Sequence, residues 1–135
     1  MKVIELATPL LHVFEGLRLK AYRDSGGVLT VGFGHTGPVD GQPLTEATTI
    51  TIEKAYELFE ADAAPLLKIV DGLPLTAAAA YVSFGYNCGA GALRRVLAGQ
   101  AKHGDFIHDR RGNVSPGLVS RRALEAALIQ AGSNS

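Results

Sequence analysis

Glu15, Asp24 and Thr30 stand in one short apolar and glycine-rich stretch, EGLRLKAYRDSGGVLTVGFGHTG at 15–37. Two carboxyl groups and a hydroxyl at such spacing suit acid/base chemistry, provided the two acids have different surroundings. Thr8-Pro9 reads as an N-cap followed by a first-turn proline, so the spacing predicts a helix over 9–15 that Gly16 ends. Glu15 then sits at a helix C-terminus, where the peptide dipoles disfavour an anion. Phe14 and Leu17 add apolar surroundings, which push the same way. That setting suits a proton donor. Asp24 follows a strand-like run, Leu19 to Tyr22, and precedes the turn Ser25-Gly26-Gly27. Turn amides and the adjacent Arg23 favour its anion. A protonated acid opposite an ionised one is the division of labour used in glycosyl transfer to water. A glutamate at a helix end and an aspartate before a turn are also ordinary surface choices, and spacing alone leaves both readings open.

The string is more specific than the spacing. EGLRLKAYRD, followed by GxxTxGxGHTG, resembles the motif of the phage-type lysozymes of glycoside hydrolase family 24. The resemblance implies that Glu15, Asp24 and Thr30 form the catalytic set. It implies a mainly helical α+β fold, in which a small antiparallel sheet lobe and a helical lobe flank a cleft. It further implies hydrolysis of the β-1,4 bond between N-acetylmuramic acid and N-acetylglucosamine, with inversion and with neither cofactor nor metal.

Composition is compatible. The chain has 135 residues, 47% hydrophobic and 19% charged, enough for one folded domain without staples. A single cysteine, Cys88, allows no intramolecular disulfide and reads as buried. Formal charge is zero, which offers no nucleic-acid footprint. No apolar run reaches the ~18 residues of a membrane span. The opening MKVIELATPLLHVFEG carries Glu5 and leads straight into the motif, so it does not read as a signal peptide. The resemblance implies peptidoglycan strands as the partner; composition adds the expectation of no nucleic acid and no stable membrane insertion, and the protein is expected to be a monomer. The resemblance implies a location in a host cytoplasm, with a separate membrane pore giving access to the wall.

The remaining elements must position the motif. Residues 16–50 read as the sheet lobe, with Gly26-Gly27 as a hairpin turn. Residues 1–15 and 51–131 read as the helical lobe and connecting helix. Gly32-Phe33-Gly34-His35-Thr36-Gly37 matches G-x-G-x-x-G, but Pro38, Asp40, Gly41 and Pro43 follow where a nucleotide site needs a helix. It reads instead as a backbone edge that a bulky substrate can approach. Thr51 caps a helix over 52–70 that Pro65 is expected to kink or divide. Thr76 caps a further helix, from Ala77 to about Tyr86.

SFGYNCGAGAL resembles the family's second recurring segment and places Asn87 at its polar position; a plain helix cap reads equally well there. PGLVSRR also resembles the family, and puts Arg121 and Arg122 close to Glu15 or the sheet lobe, with at least one of them in solvent. The helix from 117 to 131 is expected to bury Leu118, Val119, Leu124, Ala127 and Leu128, and 132–135 to be disordered. His103, His108, Asp105 and Asp109 lack metal-ligand spacing and read as a loop. The region 99–116 is shorter than in typical family members. Tyr22, Phe33, Gly34, His35, Tyr86 and Asn87 are the candidates for substrate binding. For His35, a ring that holds the loop through a backbone bond competes with direct catalysis. A lytic transglycosylase and a non-catalytic wall-binding or virion module are the alternative functions.

Overall fold

The computed structural model describes residues 1–133. The order is α1 (Val3–Glu15), β1 (Arg18–Arg23), β2 (Leu29–Gly32), α2 (Ile52–Ile69), α3 (Leu75–Cys88), α4 (Ala90–Leu97), a short 3-10 helix (His103–Asp105) and α5 (Pro116–Ser133). Two compact units result: Leu11–Asp62, and Met1–Leu10 with the chain from Ala63 onward. The boundary falls inside α1 and α2 rather than at their ends. The packing of the smaller unit accounts for this. Phe33 stacks on His12 at 4.5 Å, and both rings meet Tyr56 and Phe59, which ties the end of α1 and the start of α2 to the hairpin.

α1 begins six residues before the expected start, and the Thr8 cap is corrected. Thr8 lies mid-helix, where its hydroxyl donates to the Ile4 carbonyl at 2.6 Å. The start is capped differently: the Lys2 amide donates to the Glu5 carboxylate at 3.2 Å, one half of a capping box. Gly16 ends the helix with φ +69, as a C′ glycine should.

β1 and β2 form an antiparallel hairpin with Tyr22 opposite Thr30 and Arg23 opposite Leu29. Gly27 takes φ +79 in the connecting turn. Residues 48–50 add a short third pairing, with Ala21 donating to Thr48 and Leu19 accepting from Ile50, both at 2.8 Å. After β2 the chain turns back at once: Val31 and His35 exchange two backbone bonds of 2.9 Å across Gly32, Phe33 and Gly34. Gly32 and Gly34 take φ +67 and +76 in this turn, and no helix opens there.

The Thr51 hydroxyl accepts from the Lys54 amide at 3.1 Å and caps α2 as expected. Pro65 neither ends nor divides that helix, which runs unbroken to Ile69. Its buried stripe of Ala55, Phe59, Ala63, Leu66 and Val70 carries the chain past the missing amide.

In the larger unit, α3 packs against α4 and α5. Pro74 stands at the N-cap of α3 and no side chain caps it, so the Thr76 expectation is corrected: Thr76 lies in the first turn. The Ser115 hydroxyl accepts from the Leu118 amide at 3.3 Å and caps α5. The buried face of α5 differs from its apolar expectation. Val119 and Leu124 are each 42% exposed, while Arg121, Arg122, Glu125 and Gly132 are buried. The cause is a polar cluster whose charges pair with one another, although Arg122 Nε makes no hydrogen bond within it. Glu125 Oε2 accepts from Ser83 at 2.5 Å and lies 3.4 Å from Arg121 Nε, while Oε1 lies 2.9 Å from His103 Nε2 and 3.0 Å from Arg122 Nε. Buried charges persist when paired and hydrogen-bonded in this way. Neither arginine is the solvated surface residue expected. The tail is corrected in part: Gly132 is a packed residue of α5, and 134–135 lie outside the described residues. Among the described residues no helix is long and apolar enough to cross a membrane.

Candidate active site

Glu15, Asp24 and Thr30 all belong to the smaller unit. Glu15 is the last residue of α1 and is half-buried. Asp24 is held by the turn it opens. Its Oδ1 accepts from the amides of Gly26 and Val28, each at 2.9 Å, and its own amide donates to the Val28 carbonyl at 2.9 Å. Gly26 and Gly27 permit this because neither carries a side chain, and Gly27 takes a positive φ. Arg23 is directed elsewhere: Nε donates to Glu46 at 2.8 Å and Nη1 to the Gly27 carbonyl at 2.9 Å. That follows from strand alternation, which sends Arg23 to the opposite face from Tyr22 and Asp24.

The register brings the other members together. Asp24 pairs with Val28, and Tyr22 with Thr30. Residues two apart on a strand share a face. Asp24, Tyr22 and Thr30 therefore face one way, and Asp24 and Thr30 are diagonal neighbours at roughly 7 Å. One water can span such a gap. Thr30 is 4% exposed, and its hydroxyl proton is committed to the Val28 carbonyl at 2.9 Å. Its oxygen is then an acceptor toward anything else, because a hydroxyl has one proton and two lone pairs. Arg18 lies over the Tyr22 ring, 4.7 Å from its centroid.

The other candidates divide. Phe33 is 3% exposed and stacked on His12, so it is a packing residue of the hairpin and offers little ring to a sugar. Gly34 holds the tight turn. The buried His35 ring is bound at both nitrogens, Nδ1 2.7 Å from Asp62 and Nε2 3.0 Å from the Pro38 carbonyl. Both partners accept, so both ring nitrogens donate and the imidazolium is the form that fits. Burial alone lowers the ring's affinity for its proton, but the bonds to Asp62 and Pro38 outweigh it and the net shift is upward. The His35 ring thus ties its own loop, at Pro38, to α2, at Asp62. Asp62 was missed by sequence reasoning. Its signal was an acid on the apolar stripe of α2, between Phe59 and Leu66.

Tyr86 and Asn87 belong to the larger unit, in the last turn of α3. The exposed Asn87 accepts at Oδ1 from Arg122 Nη2. Arg122 Nη1 also donates to Cys88 Sγ at 3.1 Å. Burial pushes the Cys88 thiol up and the arginine pulls it back, with burial winning, so the thiol is not primed for attack. Glu125, Ser83 and His103 were missed as a group. The signal was the i, i+3 and i, i+4 placement of Arg121, Arg122 and Glu125 on one face of α5. Among the described residues no group of three or more His, Cys, Asp or Glu is placed to hold a metal.

A family model described as phage lysozyme matches residues 12–125. The endolysin of Salmonella phage P22 is 56% identical over 48 residues, 36% of this chain and 33% of that protein. The SAR-endolysin of bacteriophage PS119 is 36% identical over 125 residues, 82% of this chain and 73% of that protein. Against the endolysin of Bacillus phage PZA, 30% identical, the chain spans 56% of the relative's length. Among solved structures, an endolysin from Escherichia coli O157:H7 phage FAHEc1 superposes with a TM-score of 0.77 at 28% identity, over 96% of this chain and 93% of that one. A P22 lysozyme variant superposes with a TM-score of 0.71 at 30% identity, over 96% and 99%.

Proposed function

The chain belongs to the phage lysozyme family, and from that premise we propose that it is an endolysin-type muramidase that hydrolyses the β-1,4 bond between N-acetylmuramic acid and N-acetylglucosamine. Glu15 protonates the leaving oxygen. Asp24, oriented by its two turn amides, acts as base toward a water. Thr30, its own proton already given to Val28, accepts one hydrogen of that water while Asp24 takes the other. The water's lone pair then points to the anomeric carbon from the face opposite Glu15. This geometry gives inversion and needs about 6.5–9.5 Å between the two carboxyl groups.

The observation that carries the reading is the hairpin register, which sets an immobilised carboxylate and an acceptor-only hydroxyl on one face. Tyr22 flanks that pair. The substrate partner is peptidoglycan. The protein acts as a monomer without nucleic acid, and reaches the wall from the host cytoplasm through a separate pore.

Mass spectrometry of muropeptides, coupled to lysis of permeabilised Gram-negative cells, tests this. Reducing muramic ends are expected in the mass spectra, with α configuration at the moment of cleavage when the reaction is followed by proton NMR. Anhydro-muramic ends would assign a lytic transglycosylase instead, and binding without cleavage a wall-binding module. Glu15→Gln should lower the rate by more than about 100-fold in a folded protein, because it removes only the proton donor.

A further inference from the structure

We infer that Arg18 is a specificity-determining residue: its guanidinium, held over the Tyr22 ring, takes a free carboxylate of the peptide borne by a muramic acid residue, so that strands with free peptide carboxylates are preferred to strands in which those groups are amidated. The inference rests on the muramidase reading and deepens it by naming the part of the substrate that this face of the hairpin selects.

In the compact unit Leu11–Asp62, Asp and Glu outnumber Arg and Lys by eight to four. A shortage of carboxylates therefore cannot leave a cation unpaired. Two of the four cations use the supply: Arg23 pairs with Glu46 at 2.8 Å, and Lys54 with Asp40 at 2.8 Å and Glu57 at 2.7 Å. Arg18 does not. It is exposed, and among the described residues no carboxylate pairs with it and none of its N–H donors makes a hydrogen bond. Its contact is the Tyr22 ring, with Cζ 4.7 Å from the centroid. A cation gains from an aromatic face even in water, which favours one arrangement of a long side chain over many. A guanidinium engaged through its face keeps its N–H edges free. Those edges form a planar fork that matches the two oxygens of a carboxylate. Lys20 is exposed as well, but it carries a point charge and among the described residues touches no ring to fix it.

The strand register gives the location. Tyr22 stands opposite Thr30, and Asp24 follows on the same face, roughly 7 Å along the strand. An anion held at Arg18 is thus close to the pair that handles the water without touching it. Arg18 also covers one face of the Tyr22 ring, so that side presents charge rather than an apolar platform for a sugar. Neutral sugar rings have no charge to offer a guanidinium. The peptide on the muramic lactyl group does, through its free carboxylates.

The test uses the full chain on soluble peptide-bearing glycan strands, either native or with the peptide carboxylates chemically amidated, with KM and kcat measured separately. Arg18→Gln keeps a planar hydrogen-bonding head and loses the charge. KM on native strands is expected to rise about 3- to 10-fold at low salt, between the worth of an exposed ion pair and that of a charge-assisted hydrogen bond, with kcat within about twofold. The rise should shrink as salt approaches about 0.5 M. On amidated strands the variant and the unaltered protein should agree within about twofold. Arg18→Lys keeps the charge without the fork and should recover only part of the difference. Lys68→Gln removes an exposed cation from the other compact unit and should leave the native-to-amidated ratio unchanged. A KM that rises equally on both strands overturns the inference, because Arg18 would then only steady Tyr22. So does an equal change of ratio in Lys68→Gln, which would make the effect one of bulk charge. Binding of fluorescently labelled strands to the Glu15→Gln protein repeats the comparison without turnover. If Kd depends on Arg18 and on the free carboxylates while the unaltered protein releases no muropeptides, the muramidase reading fails and the contact stands. If muropeptides are released and neither KM nor Kd responds to amidation, the contact fails alone.

Discussion

Replacing Asp62 with asparagine should weaken the fold in a pH-dependent way. The His35 ring is buried and donates from both nitrogens, to Asp62 at 2.7 Å and to the Pro38 carbonyl at 3.0 Å. An asparagine oxygen can still accept from Nδ1, so Asp62→Asn removes the charge and keeps the bond. A charge-assisted bond contributes about 1.5–3 kcal/mol and a neutral one about 1 kcal/mol. The Asp62 side chain is 35% exposed, so water screens part of the difference. The expected loss is about 1–1.5 kcal/mol at pH 5.5, or roughly 3–6 °C in Tm for a chain of this size.

The sign follows from the direction of the shift. The native ring binds its proton more tightly than an unfolded histidine, whose ordinary value is about 6.5. Stability from the pair is therefore fully present below about pH 6.5 and is lost as pH rises through the raised native value. Once pH exceeds that raised value the ring is neutral in both proteins, and the penalty should shrink below about 0.5 kcal/mol. Thermal melts of both proteins at pH 5.5, 7.5 and 9.5, at fixed salt, measure this. A penalty that stays constant with pH, or grows toward pH 9.5, would refute the imidazolium assignment.

Three further outcomes are expected. Thr30→Val keeps volume but removes the acceptor for the water: muropeptide release should fall about 10- to 100-fold, as for loss of one transition-state contact, while denaturant unfolding shows a cost near 1 kcal/mol for the lost bond to Val28. Gly132→Ala places a Cβ 2.9 Å from Ala77 Cβ and 3.1 Å from its backbone nitrogen, so urea melts should show about 1–3 kcal/mol of destabilisation. Glu125→Gln leaves Arg121 and Arg122 buried without their carboxylate and should cost about 3–5 kcal/mol in the same measurement, because a buried pair is broken from one side.

Local chemistry was legible in the sequence where local rules apply. Gly16, Thr51 and Ser115 each occupy the helix-end position their residue types favour, and the turn after Asp24 supplies the amides expected near it. Two of the failures depend on a partner distant in the chain. Arg23 is 23 residues from Glu46, and His35 is 27 from Asp62. Thr8-Pro9 has the form of a helix start, yet the capped turn at Lys2 and Glu5 lies upstream and the helix passes through the proline. Pro65 is carried in the same way, by the stripe on either side of it. A proline costs a hydrogen bond, but tertiary burial of a long apolar face can exceed that cost.

α5 shows most plainly why a hydrophobic pattern can point the wrong way. Its partner α3 is an alanine helix, with Ala77, Ala78, Ala79 and Ala80 all buried. Small side chains let the helices approach closely where both are small, as at Gly132 beside Thr76 and Ala77. Farther along α3 the facing residue is Ser83, then Asn87 and Cys88, and long polar side chains from α5 meet each of them. As numbers rise along α3, the partners on α5 fall from Gly132 to Glu125 to Arg122, so the helices run antiparallel in one fixed register. An apolar α5 face could slide by a turn along an alanine surface with little penalty. The charged cluster cannot, because a one-turn slip would leave Glu125 without Ser83 and Arg122 without Asn87. The buried charges therefore specify the register of α3 against α5.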